Sequence, residues 1–148
     1  MKEKAIIDIL KNYFQRECSY IDNLKIDYLS SEDESWSLEQ EANPVVLKKD
    51  VLGNRKMQIT FTLATKIFVN SITDKNQSKI LKAFSDIAEW MYIQTEKHAL
   101  PELNKNELAE SLESTASAFL FAVNKDRTQA RYEMPCKFIY KKLKESEK

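Results

Sequence analysis

Residues 111–140, SLESTASAFLFAVNKDRTQARYEMPCKFIY, predict two strands joined by a charged turn. The first strand is expected from Ser114 to Val123, after a polar connection that follows Pro101. The second strand has the period-2 alternation of a half-buried strand. Its inward residues are Ala130, Tyr132, Met134, Cys136, Phe138 and Tyr140, and its outward residues include Arg131, Glu133, Pro135, Lys137 and Lys141. Because proline has no amide proton to donate, we expect this strand to lie at a sheet edge or to be bulged at Pro135.

A β-hairpin is predicted earlier in the chain. Two runs rich in apolar residues, 45–52 and 56–68, flank Gly53 and Asn54. Glycine at the first central position of a two-residue connection favours a type II′ turn. The second run alternates, with apolar residues at Met57, Ile59, Phe61 and Leu63. One face of the hairpin is therefore expected to be buried.

Two helices and further strands complete the predicted fold. Apolar residues at helical spacing indicate one helix from about Lys2 to Arg16 and a longer one from Thr73 or Asp74 to about Lys97. A strand is expected near residues 24–29, and the second half of the acidic segment 30–44 is another candidate strand. These elements predict an α+β fold, a mostly antiparallel sheet with the N-terminal helix and the long helix packed on one face. A single domain is expected over residues 1–148, with a flexible C-terminal tail at about 144–148.

The composition limits the classes of function. Lys plus Arg and Asp plus Glu number 23 each, so no net charge draws the whole molecule to nucleic acid or to a membrane. Cys18 and Cys136 lack the spacing of a metal site, and one glycine cannot build a phosphate-binding loop. The only histidine, His98, is expected to cap the long helix or to be exposed. We therefore predict no enzyme, no cofactor and no metal site.

Over roughly residues 24–143, the order and spacing of these elements resemble a family of small virion proteins of tailed bacteriophages. The likeness includes the hairpin VVLKKDVLGNRKMQITFTLATKIF (45–68), the helix FSDIAEWMYIQTEK (84–97) and the strands of residues 111–140. Members of this family are often labelled minor capsid proteins. They are similar to tail terminators, which act in head-to-tail joining and tail completion.

The resemblance implies a structural protein with a tail terminator-like fold. Such a protein caps the head-proximal end of the tail tube as a homo-oligomer, typically a hexameric ring, and forms the docking surface for the head connector. The implied partners are the tail tube protein and head-tail connector proteins; DNA passes through without specific binding, and no membrane is involved. The implied location is the tail neck of the virion, after synthesis in the cytoplasm of the bacterial host. The alternatives are a connector stopper, a capsid minor or decoration protein, and a prophage-encoded regulator that binds a protein partner outside the virion.

Five acidic residues are candidates for lining the channel of such a ring. They are Glu32, Asp33, Glu34, Glu39 and Glu41, with no basic residue between them. Carboxylates that face the hole would repel the phosphates of passing DNA. The alternative is a solvated acidic loop.

Five further residues are candidates for subunit or partner interfaces. They are Trp36, Trp90, Pro135, Lys141 and Lys142. Trp36 either packs locally under a loop or anchors a partner, and Trp90 either packs in the core or contacts a neighbouring subunit. The two lysines either begin a solvated tail or pair with an acidic surface on the next subunit or on the tail tube.

Overall fold

The computed structural model describes residues 4–21, 25–26, 35–68, 74–125 and 129–144. Its elements are α1 (Ile6–Glu17), β1 (Lys25–Ile26), β2 (Ser35–Gln40), β3 (Val45–Lys49), β4 (Arg55–Phe68), α2 (Asp74–Glu96), β5 (Glu107–Ser114), β6 (Phe119–Val123) and β7 (Gln129–Lys142). The sheet has the order β1-β2-β4-β7-β5, with β3 also paired to β4 and β6 also paired to β7. All of these pairs are antiparallel except β1 with β2. The predicted α+β fold, with a mostly antiparallel sheet, is confirmed. Of the strand predicted near residues 24–29 only β1 is described, and the predicted tail lies outside the described residues from 145 onward.

Strands β4 and β7 form the centre of the sheet. Each has 14 residues, and they pair along their full length from Arg55 opposite Lys142 to Phe68 opposite Gln129. The alternation predicted for both strands is confirmed, because the apolar set of β4 and every second residue of β7 from Ala130 to Tyr140 are buried. The two-residue period places these side chains on one face of the sheet. We call the opposite face, which carries Lys56, the outer face.

Both helices pack on the buried face. The side chains that α1 buries are Ile6, Ile7, Ile9, Leu10, Tyr13 and Phe14, and those of α2 are Phe84, Ile87 and Met91. The hydroxyl of Tyr13 joins the helices, since it donates to the carbonyl oxygen of Ala99 at 2.7 Å and accepts from Gln94 Nε2 at 3.0 Å. The amphipathic pattern of α1 therefore marks the surface that meets the core.

On the side away from the other central strand, each central strand pairs with two short strands instead of one long one. Beside β4, residues 41–44 separate β2 from β3 and lie opposite only residues 59–60. Beside β7, residues 115–118 separate β5 from β6 and lie opposite only residues 134–135. The prediction of one strand over 114–123 was wrong. Most of β5 lies in the predicted polar connection; only Glu107 and Leu112 of its eight residues are buried, so it lacks an apolar alternation.

Pro135 lies in a central strand, so the expectation of a sheet edge or a bulge at this residue was wrong. On one side, Pro135 is opposite Thr62 in the unbroken β4–β7 ladder. Its carbonyl oxygen accepts from the amide of Thr115 at 2.8 Å on the other side. A strand residue directs its N–H and C=O to the same side. The missing amide proton therefore faces the break between β5 and β6, where no strand requires it.

The hairpin turn between β3 and β4 differs from the predicted type II′ turn at Gly53 and Asn54. The amide of Gly53 donates to the carbonyl oxygen of Asp50 at 3.2 Å, and the amide of Asp50 donates to the carbonyl oxygen of Asn54 at 2.9 Å. Asp at the first position and Gly at the fourth are favoured by type I turns. Gly53 has φ +93°, so it supplies the left-handed residue that closes the turn. The carboxylate of Asp50 also accepts from the amides of Leu52 and Asn54, both at 2.9 Å.

A threonine on α2 satisfies the backbone of the edge strand β5. The hydroxyl of Thr95 lies 3.0 Å from the carbonyl oxygen of Met91 and 3.1 Å from that of Leu112, and it accepts from the amide of Leu112 at 3.0 Å. Leu112 is fully buried and pairs with Phe138 on its other side. One side chain therefore accepts from the amide of a residue at an otherwise open sheet edge, and its single hydroxyl proton is shared between the carbonyl oxygens of Met91 and Leu112.

Just beyond the C-terminus of α2, His98 adopts a left-handed backbone conformation. His98 has φ +56°; its amide donates to the carbonyl oxygen of Thr95 at 3.2 Å, and the amide of Ala99 donates to that of Gln94 at 2.9 Å. These two bonds form the Schellman arrangement, in which glycine is the usual residue at the position of His98. The imidazole of His98 is exposed.

Candidate functional site

An ion-pair cluster lies on the outer face where β2, β4 and β7 meet. Arg131 Nη2 is 2.6 Å from Glu39 Oε2, and Arg131 Nε is 2.7 Å from Glu133 Oε2. The guanidinium carbon also lies 5.7 Å from the ring centroid of Phe121. Burial alone would lower the pKa of Arg131, but the hydrogen bonds to Glu133 and Glu39 raise it above its ordinary value. One guanidinium therefore pairs with two carboxylates and links β2 to β7 across β4.

The structure describes two of the five acidic residues predicted to line a channel. Glu39 is bound to Arg131 and accepts from Ser37 Oγ at 2.8 Å, so its charge is locally compensated. Glu41 is exposed and accepts from Thr62 Oγ1 at 2.6 Å, which places it beside the outer face. Glu32, Asp33 and Glu34 lie outside the described residues.

The two tryptophans have different positions. Trp36 is only 8% exposed, and its ring centroid lies 5.0 Å from that of Phe84 on α2. Trp90 is half-buried, with its ring 5.3 Å from both Tyr13 and Phe14 of α1. Core packing accounts for Trp36 in the single chain, while part of Trp90 faces solvent at the contact between the helices.

The remaining predicted interface residues lie on β7. Pro135 is half-buried on the outer face. Lys141 and Lys142 belong to two rows of cations that run across three strands at the hairpin end of the sheet. The outer row is Lys48 opposite Lys56 opposite Lys141, and the inner row, on the other face, is Lys49 opposite Arg55 opposite Lys142. We call these six residues the basic end. Sequence reasoning missed it, because only the register of β3, β4 and β7 brings together residues that are far apart in the chain.

Two strand edges expose apolar side chains. Val45, Val46 and Leu47 of β3 and Phe119, Leu120 and Phe121 of β6 are between 38 and 58% exposed. These residues form the β3 edge and the β6 edge, respectively. Because β3 pairs with β4 and β6 pairs with β7, the two edges lie on opposite flanks of the sheet. Contiguous exposed apolar groups of this kind make the two edges candidates for contact with a partner.

A surface cleft of about 520 Å³ lies between α2 and residues 115–118. Its lining consists of Leu81, Ser85, Ala88, Met134 and residues 114–118, none of which is ionisable. The described lining of the cleft therefore contains no side chain that could act as a general acid or a general base. Within the described ranges, no cluster of three or more His, Cys, Asp or Glu side chains could hold a metal ion. No helix in those ranges combines the length and the apolar character needed to cross a membrane.

The buried thiols are not suited to act as nucleophiles. Burial raises the pKa of Cys18 to about 11 and raises that of Cys136 further. A thiol reacts as its thiolate, so both side chains are expected to be inert in the folded chain.

No protein-family model matches this chain, and no curated protein matches it.

Proposed function

We propose that this protein is a structural component of a tailed-phage virion, a tail terminator that closes the head-proximal end of the tail tube as a ring. In this role it stops elongation of the tube and offers its other face to the head connector. The α+β fold is the one that the likeness to such proteins leads us to expect. The surface features that support assembly are the β3 edge and the β6 edge.

The positions of the two edges are suited to a ring. The strands β3 and β6 are antiparallel to one another, because both β3 and β7 are antiparallel to β4, and β6 is antiparallel to β7. When the sheet of one copy is continued by the next, the β3 edge meets the β6 edge in an antiparallel orientation. A contact between two different surfaces is heterologous, and it forms a ring if the rotation closes. These edges are the observation on which the proposal depends most.

Side chains are expected to carry more of this contact than backbone pairing. Each of the two strands contains a register shift, between Val46 and Lys48 in β3 and between Leu120 and Ala122 in β6. Such bulges interrupt an outward ladder of hydrogen bonds. The exposed aromatic and aliphatic groups remain available, and buried aromatic residues commonly dominate interface energies.

Cysteine cross-linking tests the interface directly. Val46 and Leu120 lie on the same face of the sheet, since Val46 is opposite Met57 and Leu120 is opposite Tyr132. We expect an equimolar mixture of V46C and L120C proteins to form disulfide-linked dimers under mild oxidation, and the double variant to form larger closed species. Each single variant alone is expected to stay uncross-linked, and Cys18 and Cys136 do not interfere because they are buried. Dimers from V46C alone would instead indicate a two-fold contact and would contradict the ring.

The location of the protein decides whether its role is in the tail. In immunogold electron microscopy of the encoding phage, label is expected at the neck, and a mutant lacking the protein is expected to produce overlong tails. Label over the capsid would contradict the terminator role and would favour a decoration protein. Label at the neck with tails of normal length would favour a connector stopper.

The same edges also support a second candidate, a small protein-binding regulator. An open strand edge with apolar side chains can accept a segment of an unrelated protein by β-strand addition. Such a regulator would be absent from mature particles, which is the result that separates it from every virion role.

A further inference from the structure

We infer that the basic end of the sheet binds the phosphate backbone of double-stranded DNA without reading its sequence. This inference does not rest on the proposed role in the tail. It is carried by the two rows of cations, by their presence on both faces of the sheet and by the projecting turn between β3 and β4.

The basic end has a local excess of positive charge. The six cations and the neighbouring Lys144 carry seven positive charges, and three carboxylates lie nearby, those of Asp50, Glu107 and Glu110. The basic end therefore has an excess of four positive charges. Among the described residues, the ion pair between Lys56 Nζ and Glu110 Oε2, at 3.6 Å, is the one that involves this end. The whole chain has a formal net charge of zero, so this end differs sharply from the average surface.

Neighbouring cations within each row repel one another, and they are only partly compensated by Glu107 opposite Lys142 and by Glu110 beside Lys56. Side chains directly opposite on neighbouring strands interact, and like charges in that position are destabilising. Each row places three cations side by side within about 10 Å, given the spacing of about 4.8 Å between strands. A polyanion would remove this repulsion, whereas solvent only screens it.

Cations on both faces favour a duplex over a flat anionic surface. The outer row lies on the same face as Thr60, and the inner row lies on the face of Met57. In a DNA duplex, phosphate backbones run along both sides of the major groove, which is about 12 Å wide. A bilayer presents a single plane of charge, which the two rows cannot both approach.

The turn between β3 and β4 exposes apolar side chains, so it is suited to contact DNA without recognising individual bases. Val51 is 102% exposed and Leu52 is 70% exposed. Neither side chain can hydrogen-bond to a base edge, and the nearby polar Asn54 is engaged, since its Nδ2 donates to Asp50 and its Oδ1 accepts from the amide of Lys144. Sequence-independent binding is what phosphate contacts alone provide.

Fluorescence anisotropy with a labelled 20-base-pair duplex at several NaCl concentrations tests the inference. Four to six phosphate contacts predict that log K falls against log salt with a slope of about −4 to −5. The triple variant K48E/K56E/K141E is expected to bind at least about tenfold more weakly at low salt and to have a slope smaller by about 3. The matched control K79E/K97E/K125E makes the same change in net charge at exposed lysines away from the basic end and is expected to change affinity by less than about threefold.

Three outcomes would overturn the inference. They are a slope near zero for the unmodified protein, an equal loss of binding in the control variant, and sedimentation with phosphatidylserine vesicles in the absence of any duplex binding. If K48E/K56E/K141E fails to fold by circular dichroism, the neutral variant K48Q/K56Q/K141Q replaces it, with an expected decrease in slope of about 3 as well. The variant V51S/L52S is expected to retain the slope, and loss of that slope would contradict binding by phosphate contacts.

Discussion

The substitution Thr95→Val should unpair the backbone of the edge strand β5 while it preserves the volume of the side chain. The Thr95 hydroxyl accepts from the amide of Leu112 at 3.0 Å and lies 3.1 Å from its carbonyl oxygen. Valine keeps the branched shape but offers neither a donor nor an acceptor. Because Leu112 is fully buried, water gives its backbone groups little compensation for the lost bonds.

The magnitude follows from the two groups that lose their partner. A buried polar group left without a hydrogen bond costs about 1 to 3 kcal/mol. These bonds are only partly buried and the hydroxyl proton is shared with the carbonyl oxygen of Met91, so the loss lies below the full sum, at about 2 to 4 kcal/mol of unfolding free energy. Against a total stability of about 5 to 15 kcal/mol this is a large fraction. It corresponds to a decrease in Tm of about 5 to 12 °C for a chain of this size.

Urea unfolding and amide hydrogen exchange measure this effect. Thr95→Ser keeps the hydroxyl and is expected to retain protection of the Leu112 amide, while Thr95→Val loses it. Thr60→Val is the matched control, because Thr60 lies on the outer face and the same substitution there is expected to cost less than about 0.5 kcal/mol. A cost for Thr95→Val no greater than that of Thr60→Val, or unchanged exchange at Leu112, would refute the reasoning.

Three further substitutions test individual contacts. His98→Gly is expected to stabilise the protein by about 0.5 to 1 kcal/mol in urea unfolding, because glycine adopts φ +56° without steric cost, whereas His98→Ala should give no gain. Burial raises the pKa of Cys18 from 9.0 to about 11, so the folded state holds the thiol proton more tightly than the unfolded state. The free energy of unfolding is therefore unaffected by this thiol below about pH 9, and it decreases by about 2 to 3 kcal/mol by pH 11. Cys18→Ala should show a flatter decline over the same pH range, and an identical pH profile would contradict this. Arg131→Met leaves two partly buried carboxylates without their cation and should cost about 1 to 3 kcal/mol, while Arg16→Met at an exposed ion pair should cost less than about 0.5 kcal/mol.

The elements with a strong internal period could be predicted from the sequence. The alternation in β4 and β7 and the apolar stripe of α1 are local signals, and they gave the correct face of each element. The prediction for α2 ended at about Lys97, one residue beyond the observed end at Glu96. These signals are sufficient because burial of one face decides both the type of element and its orientation.

Pairing partners could not be predicted in the same way. Pro135 was assigned to an edge or a bulge because the sequence does not show that the flanking strand breaks at residues 115–118. The basic end was missed for the same reason, since Lys48, Lys56 and Lys141 become neighbours only through the register of three strands. Register depends on contacts between distant segments, and single-residue preferences carry little of that information.

The connections at residues 41–44 and 115–118 also determine where this fold can accept changes in length. One residue added inside β4 or β7 would move every later side chain of that strand to the opposite face. The two connections already contain more residues than the central strand opposite them, so a longer or shorter version changes only the local path of the chain. The strands beyond them, β3 and β6, can therefore diverge in length and sequence while the ladder between β4 and β7 stays the same. Insertion libraries at these connections should yield folded proteins far more often than the same insertions placed within either central strand.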